Sequence, residues 1–217
     1  MGSMNSNDTM AKAIAENWDL YKALSLETKK PGVDSLLESL ETPAEAIIAP
    51  ASTKLEFVGC YPGGLVEHSL RVCGLALKLR ETYGFEESIT TESVMAVCLF
   101  HDIGKVGTNK QEYYTTQHSD WHRTKLGQLY EVNPALAHFP VSQLSLWRLA
   151  FHGVSLTTNE WYAVSSLRPE FRDESPATPT TGEPMLSVLL KQAVKVSCMM
   201  GKGKRNVTKI ELDFLKG

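Results

Sequence analysis

The chain has 217 residues, 42% of them hydrophobic and 22% charged, a balance typical of a globular domain with a substantial core. Its net charge of -3 at pH 7 argues against nucleic-acid binding through bulk positive charge, so we consider a nucleic-acid partner unlikely. No run approaches the roughly 20 apolar residues of a membrane-spanning helix. No signal-peptide pattern opens the chain, and the four cysteines (Cys60, Cys73, Cys98 and Cys198) form no C-x-x-C pair. We therefore expect buried thiols in a reducing compartment, and a cytoplasmic protein without a membrane partner.

Apolar residues at helical spacing predict two helices near the N-terminus, at 8–26 and 33–40. Pro-Gly between them is a strong chain-breaking signal. We assign residues 1–50 to an N-terminal helical extension, of which the first eight are a tag or disordered. Residues 51–205 then form the main domain, and residues 206–217 a C-terminal tail.

The main domain is predicted to be helical, with one irregular insertion. Helical patterns cover the ranges 65–83, 91–100, 141–151, 157–167 and 185–200. The segment Val94–Phe100 is apolar on nearly every face, which is typical of a buried central helix. Between Gly107 and Pro140 the helical period fails, so we expect a loop or small β-hairpin over a pocket. Residues 169–183 form a predicted surface loop, and 207–215 a short strand or tail.

His101 and Asp102 follow the apolar segment directly, and Gly104 is expected to let the backbone turn away after them. Burying an imidazole and a carboxylate together is costly unless something pairs with them. A divalent transition metal (Mn, Fe, Co, Ni or Zn) accepts both as ligands. Considered alone, however, the doublet is better explained as an ordinary helix end with a solvated aspartate.

Two motifs together change that balance. The sequence PGGLVEHS, at 62–69, places His68 one turn into a helix, and FHDIGK, at 100–105, carries the doublet about thirty residues later. This pair resembles the HD superfamily of metal-dependent phosphohydrolases, whose fold is an all-α helical bundle. The resemblance extends over about 53–200. Within this range the sequence is similar to compact HD proteins of phages and gut bacteria.

The resemblance implies a metal site and a reaction. His68, His101 and Asp102 would be metal ligands, and Asp102 and Lys105 would act in catalysis. Lys105 stands where related families with an HDxGK pattern carry a phosphate-contacting lysine; its alternative role is that of a solvated lysine after a helix. The implied function is hydrolysis of a phosphoester or phosphoanhydride bond of a nucleotide by metal-activated water. A dNTP or a mononucleotide is the favoured substrate, with a cyclic nucleotide or an RNA 3′ end left open.

The chain departs from the family pattern at two positions. The last ligand of the family is an aspartate on the final helix, and Val194 occupies that position here. A substitute ligand from His122, His152 or Asp173 is conceivable. HD nucleotidases often have a glutamate where Lys105 stands, which argues against that subgroup. The alternative function is therefore a catalytically impaired HD domain that binds or senses a nucleotide.

Further candidates come from residues whose roles the sequence leaves open. Trp121 is a candidate for stacking on a nucleobase, although packing of the insertion onto the core is an equal alternative. His152 ends a predicted helix and is a candidate for lining the substrate pocket. His118 and His122 would form a second metal site only if they shared a helix face. The resemblance also allows a homo-oligomer, because HD domains of this size often pair.

Overall fold

The computed structural model describes residues 6–42, 45–167 and 182–212. These ranges contain two short 3-10 helices, at Ala46–Ile48 and Ile103–Val106, and a two-stranded sheet. The α-helices in the described ranges are α1 (Ser6–Glu27), α2 (Val33–Glu41), α3 (Gly64–Thr82), α4 (Thr91–Phe100), α5 (Asp120–Leu126), α6 (Val141–Phe151), α7 (Thr158–Ser165) and α8 (Met185–Gly201). The predicted all-α class is confirmed. None of the described helices is long and apolar enough to cross a membrane.

The centre of the fold is α4, which α3, α7 and α8 surround. Every residue from Val94 to Phe100 is at most 3% exposed, as the all-apolar pattern predicts. The helix begins after Thr90, whose side chain accepts a hydrogen bond from the backbone N–H of Ser93. Because α4 is buried on all faces, the polar residues that follow it enter the interior of the domain.

The two predicted N-terminal helices are present as α1 and α2, and they pack against the same core. Trp18, Tyr21 and Leu24 of α1 are each at most 5% exposed. The Tyr21 hydroxyl donates a hydrogen bond to the carbonyl of Leu99 at 3.0 Å. The N-terminal helices are thus continuous with the core of the main domain over the described residues.

The insertion between α4 and α6 contains the expected hairpin and an unexpected helix. Strand β1 (Tyr114–Thr116) pairs antiparallel with β2 (Tyr130–Val132). The expectation that helical structure fails throughout this stretch is wrong, because α5 lies between the strands. The side chain of Ser119 caps α5 by accepting from the backbone of His122. None of its residues is buried, so α5 has no apolar stripe that a periodicity argument could detect.

Gly104 has a different role from the expected one. It is absent from the residues with positive φ, so no left-handed turn requires glycine there. A Cβ at Gly104 would instead collide with the carbonyl oxygen of Val141 and lie 2.7 Å from the backbone nitrogen of Ser145. Glycine therefore allows the segment after the His-Asp doublet to pack directly against the backbone of α6.

The C-terminal segment lies against the domain up to Leu212 without forming a strand. Val207 and Leu212 are buried, and the side chain of Asn17 brackets the segment by donating to the carbonyl of Thr208 and accepting from the N–H of Ile210. Most of the predicted loop at 169–183 lies outside the described residues.

No disulfide joins any of the four cysteines. Cys60, Cys73 and Cys98 are buried as expected, and burial raises the pKa of Cys60 to about 11 and that of Cys73 to about 12. Cys198 departs from the expectation, because it is only half-buried.

Candidate metal centre

A tight glycine turn places His68 in the interior. Gly63 has a φ of 80°, which glycine adopts without strain. A Cβ at Gly64 would collide with the carbonyl of Gly59, so the turn also requires a bare backbone there. Helix α3 starts at this point, and His68 follows in its second turn with a side chain that is 2% exposed.

The structure brings His68, His101 and Asp102 into one cluster. One ligand atom from each residue lies within 4.8 Å of the other two. Asp102 Oδ2 is 3.8 Å from His68 Nε2 and 3.5 Å from His101 Nε2. This is the three-residue set that the sequence motifs predict as metal ligands, and among the described residues no other group of three potential ligands is so close together.

The hydrogen bonding of His101 fits a metal ligand. Its Nδ1 lies 2.8 Å from the carbonyl oxygen of Cys98, which can only accept, so Nδ1 carries the proton. In the neutral ring Nε2 then carries a free lone pair. This atom is buried and has no hydrogen-bond partner among the described residues. An unsatisfied buried nitrogen beside a carboxylate is what a divalent cation would complete.

The pKa shifts of the three cluster residues also favour the protonation states that metal binding requires. Burial lowers the pKa of His68 well below its ordinary value and that of His101 in the same direction, although the Asp102 carboxylate opposes both shifts. Burial alone would raise the pKa of Asp102, but the interactions with Lys105, His101 and His68 together outweigh it and hold this pKa well below its usual range. At neutral pH the cluster therefore offers two neutral imidazoles and one carboxylate.

Lys105 lies beside the cluster and neutralises its charge. Its Nζ is 2.5 Å from Asp102 Oδ2, and the lysine side chain is 16% exposed. Burial alone would lower the pKa of Lys105, but the interactions with Asp102, Tyr114 and Cys198 together outweigh it and raise the pKa above the ordinary value. Lys105 is thus a partly buried ammonium ion at the edge of the cluster, rather than a freely solvated lysine.

Ser145 of α6 holds the backbone of the doublet in place. Its hydroxyl donates to the carbonyl of His101 at 2.7 Å and accepts from the N–H of Gly104 at 2.9 Å. Ser145 is fully buried. One side chain therefore satisfies two backbone groups on either side of Asp102, where the chain leaves the helix.

A buried hydrogen-bond network holds the start of α3 in place. Glu67, the neighbour of His68, is fully buried and accepts hydrogen bonds from Tyr61, Arg71 and Thr208. The contacts from Thr208 use both its N–H and its hydroxyl, at 3.2 and 2.9 Å. The C-terminal segment is thereby tied to the turn of α3 that carries His68.

Other residues singled out from the sequence lie outside the three-residue cluster. Trp121 is 58% exposed and packs edge-on against His122. His152 Nδ1 faces the hydroxyl of Ser35 on α2 at 3.0 Å, and His122 Nδ1 faces Ser119 at 2.8 Å. His118 precedes α5 instead of sharing its face.

Val194, which the sequence resemblance assigns to the family's last ligand position, offers no ligand atom. Val194 is partly buried and packs against the central core. Asp173, the remaining substitute considered from the sequence, lies outside the described residues.

Two residues near the cluster were not predicted from the sequence. Ser197 of α8 is fully buried, and its hydroxyl lies 3.0 Å from Nδ1 of His68. Tyr114 of β1 lies near enough to Lys105 for their charges to interact, while burial raises the pKa of its phenol to about 12. Serine is common in helices and tyrosine is common in strands. Neither the residue type nor the spacing therefore marks these two residues as part of a site.

A helical domain with a buried His-His-Asp cluster at the end of its central helix is a candidate metal-binding domain. Residues 65–169 match the HD domain family, and this match supports membership of the HD superfamily. No curated protein and no solved structure matches the chain. Membership implies divalent-metal binding and metal-dependent phosphohydrolase activity in general terms.

Proposed function

We propose that the protein hydrolyses a phosphoester or phosphoanhydride bond of a nucleotide, with a dNTP or a mononucleotide as the favoured substrate. The observation that carries the proposal is the convergence of His68, His101 and Asp102 within 4.8 Å around a buried nitrogen that lacks a partner among the described residues. These three residues would hold the metal. The nucleotide class rests on resemblance to compact HD proteins, which is an argument by analogy.

The chain's own residues have separate roles in this proposal. A bound divalent cation supplies Lewis acidity, which lowers the pKa of water and offsets charge on phosphoryl oxygens. Asp102 contributes the negative charge that holds the cation, and Lys105 keeps Asp102 ionised through a contact of 2.5 Å. With part of its side chain exposed, Lys105 can also attract a phosphate group at the edge of the site.

The test is phosphate release from dNTPs, NTPs, mononucleotides and cyclic nucleotides in the presence of Mn²⁺, Co²⁺, Ni²⁺ or Zn²⁺. The protein should turn over one class of nucleotide, and Asp102→Asn should abolish turnover. Asp120→Asn is the matched control, because Asp120 is exposed at the start of α5 and should retain activity. Equal turnover by the protein and by Asp102→Asn would contradict the proposal.

A second function has one specific observation in its favour. Val194 offers no ligand atom and packs against the core, which leaves α8 without a carboxylate at the family's last ligand position. A site with three protein ligands and less negative charge would bind a metal more weakly. The protein would then bind a nucleotide without hydrolysing it. Binding of a dNTP without phosphate release, together with turnover in Val194→Asp, would favour this alternative.

A further inference from the structure

Helix α8 contacts the metal centre through a hydrogen bond. Ser197 lies one turn beyond Val194, is fully buried, and has its hydroxyl 3.0 Å from Nδ1 of His68. The two residues are 129 positions apart in the sequence, so the contact depends on the packing of α8 against α3. Val194 itself packs against the apolar core and gives the cluster no polar atom.

The contact is compatible with a free Nε2 on His68. Nε2 of His68 lies 3.8 Å from Asp102 Oδ2, on the side of the ring that faces the cluster. For Nε2 to act as a ligand its lone pair must be bare, and the neutral ring then carries its proton on Nδ1. That proton has an acceptor in the Ser197 hydroxyl. The arrangement parallels His101, whose Nδ1 donates to the carbonyl of Cys98.

We propose that Ser197 is a positioning residue for the metal centre: it fixes the ring orientation and the tautomer of His68. Helix α8 thus supports metal binding indirectly, by ordering a ligand on α3. The inference rests on the proposed function for the metal, but the tautomer of His68 is a property of the metal-free protein. Loss of an outer partner of a histidine ligand typically weakens metal binding by about 10- to 100-fold.

The experiment compares two serines of the same helix. Ser187 is also fully buried on α8, but its hydroxyl contacts Glu183 and Ser166, away from the cluster. Affinity for Co²⁺ alone would be measured by competition with a chelator for Ser197→Ala and Ser187→Ala. Ser197→Ala should bind about 10- to 100-fold more weakly, and Ser187→Ala should bind like the unmodified protein. Ser197→Thr, which keeps a hydroxyl, should recover most of the affinity.

A second readout needs no metal. The ¹⁵N chemical shifts of His68 in the metal-free protein distinguish the two neutral tautomers. The unmodified protein should show the proton on Nδ1, and Ser197→Ala should shift the population towards the other tautomer. If the unmodified protein binds Co²⁺, an unchanged Co²⁺ affinity in Ser197→Ala would overturn the proposal. An unchanged tautomer in Ser197→Ala would overturn it whether or not Co²⁺ binds. If no variant binds Co²⁺ but the tautomer shifts as described, the proposed function fails and the role of Ser197 in orienting His68 stands.

Discussion

Replacement of Gly104 by alanine should destabilise the domain through a direct backbone collision. The new Cβ would overlap the carbonyl oxygen of Val141, and it would lie 2.7 Å from the nitrogen of Ser145 and 2.8 Å from Cβ of Leu144. Ordinary carbon contacts are about 3.5–4.0 Å, so the segment must move away from α6. Overpacking of this kind costs about 1–3 kcal/mol. Separation also breaks the bond from the Gly104 N–H to Ser145, and an unsatisfied buried donor costs about 1–3 kcal/mol more.

Urea unfolding of Gly104→Ala and Gly84→Ala would test this reasoning. Gly84 has a φ of 69°, and a Cβ at this residue would have no heavy atom within 4 Å, so alanine there meets only backbone strain, about 1–2 kcal/mol. Gly104→Ala has no such strain and should nevertheless lower the free energy of unfolding by more, about 2–6 kcal/mol. A loss for Gly104→Ala no larger than that for Gly84→Ala would refute the close-approach argument.

Two further predictions concern buried carboxylates. Glu67→Gln should lower the free energy of unfolding by about 3–5 kcal/mol in denaturant titrations, because it removes the charge that pairs with buried Arg71. The control is Glu56→Gln, at a side chain that is 60% exposed, and it should change the free energy of unfolding by less than about 0.5 kcal/mol. Burial alone would raise the pKa of Glu160, but hydrogen bonds from Lys30, Ser93 and Thr157 outweigh it and lower the pKa. The ionised Glu160 carboxylate therefore stabilises the fold fully above the ordinary glutamate pKa of about 4.3. This stabilisation is lost as the pH falls through the lower pKa that Glu160 has in the folded protein. Thermal unfolding from pH 6 to pH 3 should show this loss in the unmodified protein and a smaller one in Glu160→Gln.

Most of the fold was predictable because its helices carry strong local signals. The apolar run of α4 and the Thr157–Glu160 capping box of α7 each identify an element from a short stretch of sequence. Helix α5 was missed for the opposite reason: it buries no residue, and only a serine cap stabilises its start. The role of Gly104 was also missed, because a close approach to α6 depends on a neighbour distant in sequence.

The residues of the candidate site also divide into those that the sequence predicts and those that it does not. His68, His101 and Asp102 were identifiable because two local motifs carry them, and the structure brings them together. Ser197 was not, since its contact with His68 joins residues 129 positions apart and serine has many other roles in helices. The ion pair between Lys105 and Asp102 was not predicted, because its partial burial depends on the packing around the doublet.

The central claim is that His68, His101 and Asp102 bind a divalent metal, and titration calorimetry with Mn²⁺, Co²⁺ or Zn²⁺ tests it most directly. The unmodified protein should bind one ion at a saturable site, and His101→Gln should lose that binding. His118→Gln, at an exposed histidine outside the cluster, should bind like the unmodified protein. Circular dichroism would confirm that each variant is folded. Binding that is equal in His101→Gln and the unmodified protein would contradict the account.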